Sequence, residues 1–335
     1  MTKKIALVGG CGFIGHNLAI SLKKKGFNPI IIDSLSINNL KSIDRDFDSN
    51  NKELYRSILN ERLNLLKKNE IELIIKDSKD NILLQKELKN IRPDKIIHLA
   101  AVSHANKSNK DPHTTFENSM RTLENSLDYA KNEKIHLIYL SSSMVYGNFN
   151  SKNVDENTNC NPIGIYGTLK YCGELLVKSF NHVFDLPYTI IRPSALYGER
   201  CVSRRVTQIF VENALTKKSL KIMGTGEEKL DFTYVQDLIN GIISCVENEN
   251  AKNQIFNLTY GNARKISEVI NIMHEYFPNL EIENIERDKF MPERGTLDIS
   301  KAKKFLNYNP SFDLEKGFKK YIEWYIDFYK NLKQR

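Results

Sequence analysis

Six short runs of β-branched and other apolar residues recur through the chain, and they constrain the fold more than any other feature. They lie at 4–9, 28–33, 71–77, 94–101, 135–142 and 188–193. Runs that are apolar at nearly every position are typical of strands buried on both faces of a parallel sheet. Helix-length polar segments separate them, such as the segment that ends at Gly26. This alternation predicts an α/β fold with a doubly wound parallel sheet.

The alternation weakens after about residue 195, which predicts a second, smaller unit. We expect one domain over residues 1–195 and a smaller C-terminal α/β lobe over residues 196–335, interwoven with the first. Helical spacing of apolar residues also predicts an additional helix within residues 51–69 of the first domain. The helices expected in the lobe lie at 203–217, 235–248, 265–277 and 313–330.

Composition excludes several classes of partner. The formal charge is +8, but the lysines are scattered and no basic run of five to eight residues occurs, so a nucleic-acid partner is not expected. No apolar run approaches the roughly 20 residues of a membrane span, and no cleavable signal precedes the first strand, so we expect a cytoplasmic protein. Five scattered cysteines without a C-x-x-C pair predict reduced thiols, with neither disulfides nor a metal site.

A glycine-rich loop, "GGCGFIG", follows the first predicted strand and opens a helix. Gly9, Gly12 and Gly15 allow a tight turn and a close backbone approach, so that a pyrophosphate can lie at the helix N-terminus. Asp33 ends the second strand. A carboxylate at this position can accept hydrogen bonds from the ribose hydroxyls of NAD and would repel the 2′-phosphate of NADP. The loop therefore predicts a dinucleotide, NAD rather than NADP. Asp77, after the third strand, could hydrogen-bond the adenine or cap a helix.

Tyr166 and Lys170 are four residues apart on a predicted helix, "YGTLKYCGELLVKSF", and so share one face. An ammonium group beside a phenol favours the phenolate and lowers its pKa from about 10 toward the working pH. The pair therefore predicts a tyrosine that acts as a general base.

Taken together, these motifs resemble the extended short-chain dehydrogenases/reductases of the nucleotide-sugar epimerase and dehydratase type. The resemblance covers nearly the whole chain, through "GGCGFIG", "HLAA" (98–101), "SSSMVYG", "YGTLK", "IIRPSALYG" (190–198), "GTGEEKLDFTYVQD" (224–237) and "DISKAKKFLNYNPS" (298–311). It implies a Rossmann domain that binds NAD, here residues 1–195, and a lobe, here residues 196–335, that holds a nucleotide-diphosphate sugar over the nicotinamide. It also implies a homodimer.

The resemblance assigns roles to individual residues. Ser142 falls on the catalytic hydroxyl and would hydrogen-bond the sugar hydroxyl while Tyr166, assisted by Lys170, removes its proton. Of the neighbouring serines, Ser141 and Ser143, we expect packing or backbone hydrogen bonding, although Ser143 is also a candidate substrate contact with Ser103 and Met144. The implied cofactor contacts are Gly9, Gly12, Phe13, Ile14, Gly15, Asp33, Asp77, Leu99, Ala100, Ala101, Tyr166, Lys170 and Pro193.

Met144 bears on the type of reaction. The 4,6-dehydratases of the family carry an Asp-Glu pair just after the catalytic hydroxyl, and here Ser143 and Met144 replace it. A thioether cannot serve as the acid or base of an elimination. The hypothesis is therefore a 4-epimerase that oxidises C4 with NAD and reduces the 4-keto intermediate again. The alternatives are a C4 dehydrogenase or keto-sugar reductase, and a non-catalytic NAD-binding protein.

The residues that bind the diphosphate in the family are altered in this sequence. Ala195 replaces an asparagine, and Leu230 and Met291 replace arginines. Guanidinium groups suit diphosphate oxygens, so the candidates that remain are arginines elsewhere in the chain. Surface positions facing solvent are the competing interpretation. The stretch "CVSRRV" also resembles GDP-mannose dehydratases, which hints at guanosine. The candidate arginines are Arg200, Arg204, Arg205 and Arg294.

Overall fold

A seven-stranded parallel sheet lies at the centre of the part of the chain that the structure describes. The structure is a computed structural model, and it describes residues 2–46, 51–103, 105–149, 153–288 and 291–334. The spatial order is β3-β2-β1-β4-β5-β6-β7, with every neighbouring pair parallel. In chain order the strands are β1 (Lys4–Val8), β2 (Asn28–Asp33), β3 (Glu72–Ile75), β4 (Lys95–His98), β5 (His136–Leu140), β6 (Tyr188–Arg192) and β7 (Gln254–Asn257).

Among the described residues, ten longer helices surround the sheet and build the lobe. They are α1 (Phe13–Lys24), α2 (Lys52–Lys68), α3 (Asn81–Ile91), α4 (Thr122–Glu133), α5 (Ile165–Phe184), α6 (Val206–Leu215), α7 (Val235–Glu247), α8 (Ile266–Tyr276), α9 (Ser300–Leu306) and α10 (Leu314–Lys333). Shorter helical turns lie at Leu40–Ser42, Ile43–Asp46, Ala105–Lys110, Pro112–Phe116, Glu117–Arg121, Ser143–Tyr146 and Glu249–Ala251.

Short strand pairs complete the lobe and its junction with the sheet. Leu220–Met223 pairs in parallel with Ile282–Ile285, and Lys229–Leu230 pairs antiparallel with Arg264–Lys265. Two further parallel pairs join Leu196–Tyr197 to Thr233–Tyr234 and Asn153–Val154 to Thr296–Leu297.

Helices cover both faces of the sheet. On one face α1 and α7 pack their apolar sides on it, with Leu18 and Leu238 fully buried. On the other face α3, α4 and α5 do the same, with Leu127 and Val177 fully buried. Burial on both faces explains why the strand sequences are apolar at nearly every position. The predicted α/β fold with a doubly wound parallel sheet is confirmed.

Each of the two predicted units contributes a secondary-structure element to the other. Helix α2, the additional helix expected within residues 51–69, packs Leu54 and Ile58 into the core of the lobe and Leu66 into the core beside the sheet. In the other direction β7, which comes from the C-terminal part of the chain, pairs with β6 at the edge of the sheet. The boundary near residue 195 stays a prediction.

Two further observations concern the cysteines and membrane-spanning helices. Cys11, Cys160, Cys172, Cys201 and Cys245 are all free thiols. Among the described residues no helix is both long enough and apolar enough to cross a membrane.

Candidate active site

A cavity of about 1070 Å³ opens at the carboxyl ends of the strands. The strand order reverses between β1 and β4, and in doubly wound sheets ligands bind in the crevice at that point. All the predicted catalytic and cofactor-binding residues line this cavity. So do the predicted substrate-binding residues, with the exception of Arg200.

The glycine loop forms one end of the cavity. Gly9 has a φ of +80°, and a Cβ atom there would lie 2.5 Å from the backbone nitrogen of Ala100. A Cβ atom on Gly15 would lie 2.4 Å from the carbonyl oxygen of Gly10, so only glycine lets α1 approach the loop this closely. Helix α1 begins after Gly12, and no side chain caps it. Its first N–H groups can therefore bind an anion, which fits the pyrophosphate of a dinucleotide.

Two carboxylates stand beyond the loop. The Oδ2 atom of Asp33 accepts a hydrogen bond of 2.9 Å from the backbone N–H of Cys11, and its Oδ1 atom accepts one of 2.7 Å from that of Leu35. Burial raises the pKa of the Asp33 carboxyl, and these two donors oppose the shift. Asp77 accepts from the backbone N–H of Lys79 at 3.0 Å and does not cap α3, since Asp80 has that role.

Ser142 lies where β5 ends. It precedes the helical turn Ser143–Tyr146, and its Oγ atom accepts a hydrogen bond of 3.1 Å from the backbone N–H of Met144. The backbone N–H of Ser143 donates to the carbonyl oxygen of Pro193 at 2.9 Å. The second bond joins the segments that follow β5 and β6, and the first fixes the Ser142 hydroxyl at the surface of the cavity.

Lys170 lies one turn after Tyr166 on α5, and both line the cavity. The Nζ atom of Lys170 donates a hydrogen bond of 2.6 Å to the carbonyl oxygen of Leu140, the last residue of β5. Burial of the ammonium group lowers the pKa of Lys170 to about 8, and the nearby Glu174 carboxylate opposes that shift. The lysine is therefore held between the helix and the strand end, beside the predicted general base.

A buried ion pair supports this edge of the sheet. The guanidinium group of Arg192 donates two hydrogen bonds to Glu174, of 2.9 and 2.6 Å, and a third of 2.8 Å to the Tyr146 hydroxyl. Ser141, for which we expected only packing or backbone bonding, donates its hydroxyl to Glu174. The sequence analysis missed this pair. Its signal was Arg192 itself, a charged residue ending an otherwise apolar strand.

Arg200 does not line the cavity, and the expectation that it binds the diphosphate is not supported. Its φ of +64° turns the chain, and its guanidinium group donates to His16, Asn17 and Glu61. Burial lowers the pKa of His16 well below its usual range, so the imidazole is neutral and can accept this bond. Arg200 thus joins the lobe to α1 and α2.

Other cations line the cavity on the side of the lobe. Arg204 and Arg205 immediately precede α6, and the Nε atom of Arg205 donates to the Ser203 hydroxyl at 3.4 Å. On this side, three cavity cations were not predicted from the sequence. They are Lys221, Lys229 and Arg287.

Arg294 occupies a different position, next to the catalytic serine. One of its terminal nitrogens donates to the hydroxyls of Ser143 and Ser194, and the other contacts the thioether sulfur of Met144. The sequence predicted a substrate contact for Arg294. The structure brings it into the cavity, at the end where Ser142 and Tyr166 lie.

A family model gives the first comparison with known proteins. The model described as "NAD dependent epimerase/dehydratase family" matches residues 5–259. This match confirms NAD as the expected cofactor.

Individual proteins of known name resemble the chain along its length. The putative UDP-glucose 4-epimerase of Methanocaldococcus jannaschii is 29% identical, over 96% of this chain and 97% of that protein. UDP-glucuronate 4-epimerase 4 of Arabidopsis thaliana is 25% identical, over 98% of this chain and 77% of that protein. The crystal structure of a UDP-glucuronic acid 4-epimerase from Bacillus cereus, in complex with UDP-glucuronic acid and NAD, superposes with a TM-score of 0.85. It is 25% identical and covers 99% of both chains.

Proposed function

The chain belongs to the NAD dependent epimerase/dehydratase family, and we propose that it is an NAD-dependent nucleotide-sugar 4-epimerase. One observation carries the proposal. Ser142, Tyr166 and Lys170 line the same cavity as the glycine loop, at the point where the order of the strands reverses. The 4-epimerases to which the chain is similar over nearly its whole length support the same reaction.

The roles of NAD, Ser142 and Tyr166 follow from the positions of the residues that line the cavity. When bound, NAD supplies a hydride acceptor for C4 of the sugar. The Ser142 hydroxyl, fixed by its hydrogen bond from Met144, orients the C4 hydroxyl group. Tyr166 takes the proton of that hydroxyl and later returns it, acting as general base and then general acid.

Lys170 assists Tyr166 through its charge. Its ammonium group is held by the carbonyl oxygen of Leu140 and lies in the field of the Glu174 carboxylate. Glu174 is itself neutralised by Arg192, at 2.6 Å. The lysine therefore keeps a positive charge one helical turn from Tyr166, where it can stabilise the negative charge that develops on the phenol oxygen as the proton is transferred.

Elimination at C5 and C6 is disfavoured by the residues that follow Ser142. Ser143 uses its hydroxyl as an acceptor for Arg294, and Met144 presents a thioether. Neither residue can serve as the acid and base pair of a 4,6-dehydratase. This leaves a reaction that needs hydride transfer at C4 alone.

The same proposal assigns the two ligands to different units of the chain. We assign NAD to residues 1–195 and the nucleotide-diphosphate sugar to residues 196–335, with Arg204 and Arg205 as diphosphate contacts. We also assign a homodimer. Leu175, Val183 and Phe184 support that assignment, because they are apolar and at least 41% exposed on α5.

The experiment is to incubate the purified protein with UDP-, GDP-, CDP- and dTDP-sugars and to identify products by NMR. We expect the C4 epimer of at least one sugar and no net absorbance change at 340 nm, because the cofactor is regenerated in each cycle. A dehydrogenase would accumulate NADH, and a keto-sugar reductase would consume it. A protein that binds NAD but converts none of the sugars would overturn the proposal.

A further inference from the structure

The starting point is a cation in the cavity that has no anionic partner among the described residues. Arg294 is half-buried, and its hydrogen-bond acceptors are two serine hydroxyls and a thioether sulfur. Its Nε atom is fully buried and has no hydrogen-bond partner in the part of the chain that the structure describes. Buried guanidinium groups are normally paired with carboxylate or phosphate oxygens, because the charge loses its hydration.

The surroundings fix Arg294 in this position. The backbone N–H of Glu293 donates to the Oδ1 atom of Asn148 at 2.8 Å, and the backbone N–H of Phe149 donates to the carbonyl oxygen of Glu293 at 2.9 Å. The guanidinium group lies 5.0 Å from the centre of the Phe149 ring. The cation is therefore held in place before any ligand arrives.

Among the described residues, Asp231 is the carboxylate whose charge acts on Arg294, and it is already hydrogen-bonded elsewhere. Asp231 is fully buried and accepts hydrogen bonds from the Thr259 hydroxyl and from the backbone N–H groups of Gly261 and Leu297, at 3.0–3.1 Å. Burial lowers the pKa of the Arg294 guanidinium to about 10, and Asp231 only partly opposes that shift. Within the described part of the chain, no carboxylate therefore reaches the side of Arg294 that faces the cavity.

The position of Arg294 identifies which part of a substrate could supply that anion. Ser143 and Met144, which it contacts, follow directly after Ser142, and the Tyr166 hydroxyl is close enough to act on its charge. Arg294 is thus at the C4 end of the sugar. The diphosphate is attached at C1, on the opposite side of a pyranose ring. The carbon beside C4 that commonly carries an acid is C5, through its C6 carboxylate.

We infer that Arg294, with the hydroxyls of Ser143 and Ser194, binds a carboxylate of the substrate, so that the sugar is a nucleotide-linked hexuronic acid. This inference rests on the proposed 4-epimerase function. It reassigns Arg294 from the diphosphate to the sugar and makes it a residue that determines specificity. A planar guanidinium group suits a carboxylate because two parallel hydrogen bonds can form.

The test uses matched pairs that differ only in this acid: UDP-glucuronic acid with UDP-glucose, and GDP-mannuronic acid with GDP-mannose. For at least one pair we expect the wild-type enzyme to have a kcat/KM for the acid on the order of 10²-fold above that for the neutral sugar. Arg294→Gln should bring this ratio close to one. Arg205→Gln is the matched control, since a diphosphate contact serves both members of a pair and leaves their ratio unchanged.

Each outcome decides the inference. A wild-type enzyme that epimerises neutral sugars as well as the acids, or an Arg294→Gln variant that keeps the wild-type ratio, overturns the inference and leaves the 4-epimerase intact. Turnover of UDP-N-acetylmuramic acid, whose acid is linked to C3, without turnover of either hexuronic acid also overturns it. If Arg294→Gln does not fold, the wild-type ratio alone decides. If no sugar is epimerised, the proposed function fails as well.

Discussion

The floor and the wall of the cavity differ in whether their charged side chains are paired within the protein or face the cavity. The floor, formed by the ends of β5 and β6 with α5, satisfies its charges within the protein: Arg192 is bound twice to Glu174, and both are at most 2% exposed. The wall, formed by the residues before α6 and the loop of Arg294, presents the guanidinium groups of Arg205 and Arg294 to the cavity. A charge that is paired in the protein maintains the geometry of the catalytic groups. A charge that is left for the ligand selects the ligand.

The largest effect is expected from removing Glu174, the carboxylate that pairs with Arg192 in the floor. Glu174→Gln leaves Arg192 buried with an uncompensated charge, and such a loss costs about 3–5 kcal/mol of unfolding free energy. Urea denaturation of the two proteins measures it. The matched control is Glu61→Gln, which removes the half-exposed partner of Arg200 and should cost about 1 kcal/mol or less. Equal losses in the two variants would show that burial of the pair does not distinguish the floor.

The pH dependence of stability probes Lys170, the floor cation whose pKa is lowered by burial. The pKa of Lys170 is about 8 in the folded protein, below the usual lysine value of 10.5, because the ammonium group is buried. Below pH 8 the lysine is charged in both states, and burying that charge disfavours folding. Between pH 8 and 10.5 the unfolded chain binds more protons, so this residue makes stability rise with pH, by up to about 3 kcal/mol.

A neutral variant isolates this effect. Lys170→Met has no such titration, so the stability of the wild-type protein relative to the variant should rise across pH 8 to 10.5. Denaturation curves without added cofactor, recorded at several pH values, provide the measurement. A difference that stays constant with pH, or shrinks, would contradict the lowered pKa of Lys170.

Substitution of Tyr166 tests whether the proposed general base contributes to catalysis without contributing to the stability of the protein. Tyr166→Phe should reduce kcat by at least about 10²-fold, because the phenol is the proposed proton acceptor, while NAD binding and the melting temperature stay unchanged. Steady-state kinetics and a thermal melt measure both. Tyr171→Phe, five residues along the same helix and outside the cavity, is the control. Turnover near the wild-type level in Tyr166→Phe would remove the proposed mechanism.

The wall gives the smallest expected effect. Arg205→Ala should raise KM by about 10- to 100-fold and leave kcat nearly unchanged, because the diphosphate does not react. Arg200→Ala, in which the lost guanidinium group binds α1 and α2 rather than the cavity, should lower the melting temperature without changing KM. The reverse pattern would show that the sequence-based assignment of Arg200 was right and that the structural interpretation is wrong.

The sheet could be predicted from the sequence because its strands are buried on both faces and read as continuous apolar runs. Six of the seven strands were found in this way. Strand β7 was not, since Gln254–Asn257 is only four residues long and has two apolar positions. It is specified by its pairing with β6, a contact far away in the sequence.

The site was predictable to the extent that its residues belong to local motifs. The glycine loop and the pair of Tyr166 and Lys170 depend on short spacings, which a sequence displays directly. The arginines do not. Arg200 and Arg204 are four residues apart, yet only Arg204 lines the cavity, because the fold of the intervening chain decides which way each faces. The partner of Arg192 lies eighteen residues away on α5, and no local pattern points to it.

Strand β7 also has a consequence for how the protein is made. Until residue 257 has been synthesised, β6 remains an edge strand with unpaired backbone groups along one side, although Ile190 and Ile191 are fully buried in the finished protein. A chain interrupted near residue 195 would expose this edge and would be prone to aggregate by strand pairing. The central sheet therefore cannot be completed before residues 196–257 have been translated, so the first part of the chain and the start of the predicted lobe fold together.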